Sequence, residues 1–246
     1  MSTDYPKRLK NDAILEALIE VRFQTDELQE VVLGRLADNP NLKGFKRTRT
    51  PIADIPAPIR EGDASLRYSP VFEYKNEQPT EIYKFNHNMI SYHNVGEYFG
   101  WDDFCNRIRS IVELLFEKLS DVTVQRIGLR YINCLGLEHG ISSISDLNVS
   151  VNVASNALEG NFNINYLNKD IEDGEAVVRI ATPNFIEGRL PEDAKAFCDI
   201  DIYTLNGVKL ENVDECIEWI IRAHDKEKQL FFDMLPPSVI ENLRED

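Results

Sequence analysis

Residues 124–135, V-Q-R-I-G-L-R-Y-I-N-C-L, contain the pattern that decides the fold class. Ile127, Leu129 and Tyr131 stand at every second position of this stretch. Because successive side chains of a β-strand point to opposite faces of a sheet, this spacing places the three apolar side chains on one face. The stretch therefore predicts a β-strand with one buried face.

The opposite face of this strand carries two cations. Arg126 and Arg130 point the same way, and Gly128 stands between them. A glycine within a strand leaves room for another backbone or a ligand to approach. Guanidinium groups suit carboxylate and phosphate groups, so this face is a candidate binding surface.

A second strand with a charged face is predicted near the N-terminus. Its residues are compatible with a helix, but their alternation favours a strand over about residues 16–24. If the two strands share one sheet, their polar faces combine into one charged cluster, which is either a structural network of ion pairs or a site for an anion or an acidic peptide. The members of this cluster are Glu20, Arg22, Arg126 and Arg130.

Two long amphipathic helices are predicted from apolar residues at steps of three and four. One runs from Trp101 to about Leu119, and the other covers about residues 215–235. A shorter helix is predicted from Thr25 or Asp26 to about residue 38. Further strands are predicted over residues 66–75, 81–87, 89–95, 147–153, 160–167, 175–181 and 196–205.

The predicted fold class is α+β, with one antiparallel sheet or two related sheets covered by the two long helices. Each apolar helix stripe needs a sheet face to cover it, and antiparallel sheets with one covered face alternate in this way. Residues 1–136 and residues 137–246 both run from strands into one long helix, which suggests two similar halves. No residue-level repeat relates them, so one continuous domain is the alternative.

The charge of the chain narrows the choice of partners. The 246 residues include 27 Lys and Arg and 42 Asp and Glu, a net charge of −15. Such a chain repels nucleic-acid phosphates and anionic membranes, and it is compatible with a basic protein partner. No apolar run approaches the roughly 18–20 residues of a membrane-spanning helix. A local nucleic-acid contact stays open at the basic stretch of Lys43, Lys46, Arg47 and Arg49 with Phe45.

The cysteines argue for a reducing compartment. Cys105, Cys134, Cys198 and Cys216 form no C-x-x-C pair and no cluster with histidine, so no metal site is predicted. The N-terminal residues lack the apolar core of a signal peptide. We expect a cytoplasmic protein with four free thiols and no cofactor.

The common signature motifs of enzymes are missing from the sequence. It contains no G-x-x-x-x-G-K-[ST], G-x-G-x-x-G, G-x-S-x-G or H-E-x-x-H pattern. Asp199 and Asp201 share one strand face and are interpreted as solvated rather than catalytic. His224 lies on the apolar stripe of its helix and is interpreted as a packed core residue, while His87 and His93 are interpreted as exposed turn residues. No catalytic residue is predicted, although an enzymatic activity stays open.

Four segments together resemble a known protein family. Residues 11–23 are similar to its N-terminal signature, residues 100–104 to its aromatic helix start, residues 126–133 to its most specific motif, and residues 223–232 to its C-terminal helix. The family is a sporadically distributed group of bacterial and archaeal proteins with no established activity. Many members carry a proline in the opening signature, where this chain has asparagine and aspartate at positions 11 and 12. The patchy distribution implies a mobile accessory gene, of a defence or toxin–antitoxin type.

These observations lead to two functional expectations. The first is a non-enzymatic cytoplasmic protein that binds a protein partner, with a basic partner or a second copy of the chain both compatible with the sequence. The second is a small-anion or nucleotide-binding protein that uses a sheet pocket lined by Arg126 and Arg130.

Overall fold

A large antiparallel sheet with helices packed on it forms the body of the molecule. The computed structural model describes residues 5–158 and 160–244. The strands are β1 (Ile14–Gln24), β2 (Lys46–Arg49), β3 (Phe72–Lys75), β4 (Glu81–Asn86), β5 (Met89–Val95), β6 (Thr123–Gly136), β7 (Asn152–Val153), β8 (Asn156–Ala157), β9 (Asn163–Asn168), β10 (Gly174–Ala181) and β11 (Ala194–Thr204). The helices are α1 (Gln29–Ala37), α2 (Ala57–Gly62), α3 (Trp101–Lys118), α4 (Val213–Asp233) and α5 (Pro237–Leu243). The predicted α+β class with an antiparallel sheet is confirmed.

Nine strands form one continuous sheet in the order β2-β3-β4-β5-β1-β6-β11-β10-β9. Every neighbouring pair is antiparallel. Strand β6 lies near the centre, between β1 and β11. The sheet therefore runs without interruption from strands before residue 136 to strands after it.

One face of the sheet is buried, as the alternation of apolar and polar residues in β1 and β6 predicts. Ile19 and Val21 of β1 and Leu129 of β6 are fully buried in the main core. Helix α3 reaches this face near β5, where Phe104 packs on Tyr92 with ring centroids 5.7 Å apart. Burying a large aliphatic side chain contributes roughly 1.5–3 kcal/mol, so each of these buried side chains stabilises the fold.

The two longest helices lie side by side on the buried face of the sheet. Helix α3 contacts α4, and α4 also contacts β6 and β11. Helix α4 begins where the Asn212 side chain accepts a hydrogen bond from the Glu215 amide at 3.0 Å, and it ends before Pro236. Among the described helices, none has the length and the apolar composition needed to cross a membrane.

Several boundaries differ from the prediction. Helix α1 begins at Gln29 rather than at residue 25 or 26, and strand β3 covers only the end of the predicted 66–75 segment. The predicted strand at 147–153 was wrong except for the two residues of β7. A short helix forms in the proline-rich segment because Pro58 occupies its first turn, where a backbone N–H is not needed.

Candidate functional site

The side of the sheet opposite the long helices carries a group of ionised side chains. They stand on three adjacent strands, β1, β6 and β11, and the register places Arg22 opposite Arg126 and Arg130 opposite Asp201. We call this group the charged face. Its members are Glu20, Arg22, Arg126, Arg130, Asp199 and Asp201.

Glu20 links two of the arginines. Its Oε1 atom lies 2.7 Å from Nε of Arg22 and 3.3 Å from Nη1 of Arg126. The Nη2 atom of Arg126 also lies 3.5 Å from Oδ2 of Asp201 on the next strand. The structure thus brings together three of the four site residues predicted from the sequence.

Arg130 belongs to a second group on the same face. It donates two hydrogen bonds to Asp199, from Nε to Oδ1 at 2.7 Å and from Nη2 to Oδ2 at 2.6 Å. On β1 the residue opposite Arg130 is Leu18, so the described structure gives Arg130 no ion pair with Glu20. Asp199 and Asp201, which the sequence interpretation left in solvent, are both paired with arginines.

Aromatic rings hold two of the guanidinium groups. The Arg22 guanidinium lies 4.4 Å from the centre of the Tyr68 ring, and the Arg126 guanidinium lies 4.5 Å from the centre of the Tyr203 ring. Stacking of this kind suits the planar guanidinium. A Cβ atom at Gly128 would lie 2.6 Å from Nη1 of Arg126, so the space beside the glycine is filled by the Arg126 side chain.

Burial and pairing shift the ionisation of these groups. Burial lowers the pKa of Arg126, against the opposing effect of Asp201. Burial also raises the pKa of Asp201, which Arg126 partly offsets. The hydrogen bonds to Asp199 raise the pKa of Arg130. Glu20 holds Arg22 and Arg126 by ion pairs, and Asp199 holds Arg130.

A groove opens beside the charged face, between the ends of β6 and β11 and the loop of residues 185–190. Its volume is about 610 Å³, and its walls include Arg130, Arg179 and Arg189. Arg179 donates to the Phe185 carbonyl at 3.2 Å, whereas Arg189 is exposed and makes no hydrogen bond or ion pair with the described residues. The Phe185 side chain is 44% exposed at the groove.

A second cluster of polar side chains lies on the opposite, helix-covered side. His224 of α4 stacks on Trp101 with ring centroids 3.7 Å apart, and its Nδ1 atom lies 3.5 Å from the Tyr131 hydroxyl. The Tyr131 hydroxyl lies 3.0 Å from that of Tyr98. Burial lowers the pKa of His224 to about 3, so its ring is neutral at physiological pH. This geometry agrees with the interpretation of His224 as a packed core residue.

Two further members of this cluster were missed in the sequence. Glu227 is only 5% exposed, and burial raises the pKa of its carboxyl to about 8. Asn133 is only 2% exposed, and its Nδ2 atom has no hydrogen-bond partner among the described residues. The available signal was the spacing of Glu227, three residues after His224, which places a carboxyl near the apolar stripe of the helix.

The remaining candidates from the sequence occupy other places. His93 is buried in β5 rather than exposed in a turn, and its ring nitrogens lie 2.5 Å from Glu16 and 2.9 Å from Ser91. The basic stretch forms the exposed edge strand β2, where Arg49 pairs with Asp54 at 3.1 Å. No three His, Cys, Asp or Glu side chains within residues 5–158 and 160–244 are grouped as a metal site.

No protein-family model matches the chain, and no curated protein matches it. The resemblance drawn from the four sequence segments therefore stays a prediction.

Proposed function

We propose that this protein is a non-enzymatic binding protein that receives a protein partner on the charged face and in the adjoining groove. The observation that carries the proposal is the exposed Phe185 at the groove, next to a face whose charges are already paired. Three arginines face three carboxylates there, so their charges balance. A free anion would have to displace a carboxylate from an arginine, whereas a protein surface offers both donors and acceptors.

The groove supplies the place for an anchoring side chain. Its apolar walls include Ile132 and Phe197 besides Phe185. Energetically dominant interface residues are aromatic or apolar anchors in pockets, surrounded by a polar rim. We therefore expect an apolar or aromatic partner residue beside Phe185, with the charged face forming the rim. The net charge of −15 would steer a basic partner toward the molecule at long range.

A pull-down from the native host tests the proposal with two matched variants. Phe185→Asp places a charge in the groove at a site too exposed to unfold the chain. Ile221→Asp, at a residue 40% exposed on α4 in the opposite layer, is the control. We expect the wild type and the control to capture the same protein, with the capture lost for Phe185→Asp. Failure to capture any protein, or equal capture by Phe185→Asp, would contradict the proposal.

A small-anion or nucleotide-binding function is the second candidate. Arg189 favours it, because this exposed cation in the groove has no partner among the described residues and stands near Arg130 and Arg179. Thermal-shift measurements with phosphate and nucleotides test it. Stabilisation that disappears in Arg189→Gln supports an anion site, and no shift with any of these compounds favours the protein partner.

The wider context is proposed from the sequence resemblance. We propose a cytoplasmic protein of a mobile accessory system, of a defence or toxin–antitoxin type, built as two similar halves over residues 1–136 and 137–246. The cysteine pattern supports the reducing compartment, and the family resemblance supports the accessory role. Genes adjacent to this one that encode no defence, toxin or mobile-element component across several genomes would count against it.

A further inference from the structure

A small cavity lies on the helix-covered side of the sheet, away from the charged face. Its volume is about 80 Å³, and it is lined by side chains from the segment before β1, the beginning of α3, strand β6 and the C-terminal half of α4. A cavity of this size has room for ordered water or for a ligand of a few heavy atoms. The inference drawn from it does not depend on the proposed function.

One buried polar atom in this cavity destabilises the fold unless something accepts its hydrogen bond. Asn133 is 2% exposed, and its Nδ2 atom has no partner among the described residues. Glu227 is 5% exposed and also lines the cavity. A buried donor left without an acceptor costs free energy, and most native structures avoid it. The unpaired Asn133 amide therefore indicates an occupant that accepts a hydrogen bond.

The cavity offers several hydrogen-bond donors. The Tyr98 hydroxyl, the Tyr131 hydroxyl and the His224 ring are joined to one another, at 3.0 and 3.5 Å. Asn133 offers an N–H, and Glu227 offers an O–H because burial raises the pKa of its carboxyl to about 8. An acceptor-rich group, such as a carboxylate, fits this pair of donors.

The rim of the cavity selects a negative ligand. Lys7, Arg8 and Lys228 line it, and Asp12 is the carboxylate beside them, 3.4 Å from Arg8. This is a cationic spot on a chain with a net charge of −15. An ammonium ligand would meet three cations at the mouth, whereas an anion is attracted there.

The walls are apolar and aromatic. Trp101 and Phe231 line the cavity together with Ile14. We propose that this cavity binds a short-chain monocarboxylic acid, whose carboxylate accepts hydrogen bonds from Asn133 and Glu227 and whose alkyl tail contacts Trp101 and Phe231. The small volume restricts the tail to a few carbons.

Titration of the full chain with a homologous series tests this proposal. The probes are sodium formate, acetate, propionate, butyrate and hexanoate at constant ionic strength, with butylamine hydrochloride and butanol as cationic and neutral counterparts. Binding is followed by amide chemical shifts. We expect saturable binding that strengthens up to about four carbons and then weakens. Preference for butylamine would overturn the proposal, and so would no saturable binding by any acid, the result expected if water alone fills the cavity.

The variant Asn133→Leu separates binding from stability. Because the Asn133 amide has no partner, its removal is expected to raise the melting temperature while it weakens butyrate binding by about tenfold or more. Asn86→Leu is the matched control, since Asn86 is as deeply buried but donates to the carbonyls of Arg67 and Ser69. We expect this control to lower the melting temperature and to leave butyrate binding unchanged.

A surface variant keeps the test decisive if either core variant fails to fold. Lys7 is exposed at the rim, so Lys7→Glu is not expected to disturb packing. It is expected to weaken butyrate binding about threefold at low salt, with a smaller effect at high salt. Unchanged affinity in Lys7→Glu, or butyrate binding that persists in Asn133→Leu, would overturn the proposed site.

Discussion

Arg130 of β6 and Asp199 of β11 face each other through two hydrogen bonds, of 2.7 and 2.6 Å. The Asp199 side chain is 8% exposed, while that of Arg130 is 39% exposed. The pair thus joins a buried carboxylate to a cation that reaches solvent. The two partners therefore differ in the effect of their removal. Removing Arg130 leaves a buried carboxylate without a partner, whereas removing Asp199 leaves a cation that solvent can reach.

Replacing Arg130 should therefore destabilise the fold more than replacing another arginine of the charged face. In Arg130→Met the buried Asp199 loses its partner, and we expect a loss of about 1–3 kcal/mol in the free energy of unfolding. Arg22→Met is the control, because Glu20 and Arg22 are both partly exposed and such pairs contribute about 0–1 kcal/mol. Urea unfolding measures both; equal losses would contradict the role of burial.

A substitution at Gly128 also has a predictable effect on stability. A Cβ at this position would lie 2.6 Å from Nη1 of Arg126. We expect Gly128→Ala to displace that side chain from Glu20 and to cost about 1 kcal/mol, since the clashing atoms are the mobile end of an arginine. The double variant with Arg126→Ala should recover the loss caused by the clash. Additive losses in the double variant would mean that the clash is not the cause.

Two buried groups predict how stability depends on pH. The Glu227 pKa is raised by burial from 4.5 to about 8, so the folded chain binds more protons than the unfolded chain in that interval, and stability falls as the pH rises through it. The His224 pKa is lowered by burial from 6.5 to about 3, so stability falls as the pH drops below 6.5. Lys228 acts on both groups, lowering both pKa values. Between about 4.5 and 6.5 the two contributions oppose each other.

The variant Glu227→Gln isolates the contribution of Glu227 to the pH dependence of stability. In the wild type the free energy of unfolding should fall by on the order of 1 kcal/mol per pH unit between about pH 6.5 and 8, where His224 no longer titrates. The variant should lack this decline. His224→Phe should instead reduce the loss of stability that occurs as the pH drops below 6.5. Free energies of unfolding at several pH values, each compared with the wild type, measure these differences. An identical alkaline decline in wild type and Glu227→Gln would exclude Glu227 as its source.

The cysteines should differ sharply in reactivity. Cys105 is half-buried, and burial raises its pKa, while Cys134, Cys198 and Cys216 are buried in the core. Since the thiolate is the reactive form, we expect slow reaction of one thiol per native chain with a disulfide reagent, and of all four after unfolding. Cys105→Ser should abolish the native reaction. Fast native reaction of a second thiol would contradict the burial of the other three.

Local patterns were sufficient to predict most strands and both long helices. The alternation around Ile127 and Leu129 predicted β6, and the steps of three and four after Trp101 predicted α3. Prediction failed at residues 147–153, where only two residues form a strand although apolar and polar residues alternate along the whole segment. Such segments take their conformation from contacts with distant residues, which a local pattern does not contain.

The sequence by itself determined which side chains share a face, because that depends only on the two-residue period of a strand and the 3.6-residue period of a helix. It placed Arg126 and Arg130 together in this way. Only the tertiary structure decided that Arg126 meets Glu20 and Asp201 while Arg130 meets Asp199, and that Glu227 lines a cavity beside β6. Those contacts depend on strand register and on the docking of elements far apart in the chain, since a shift of one residue would exchange the two faces of a strand.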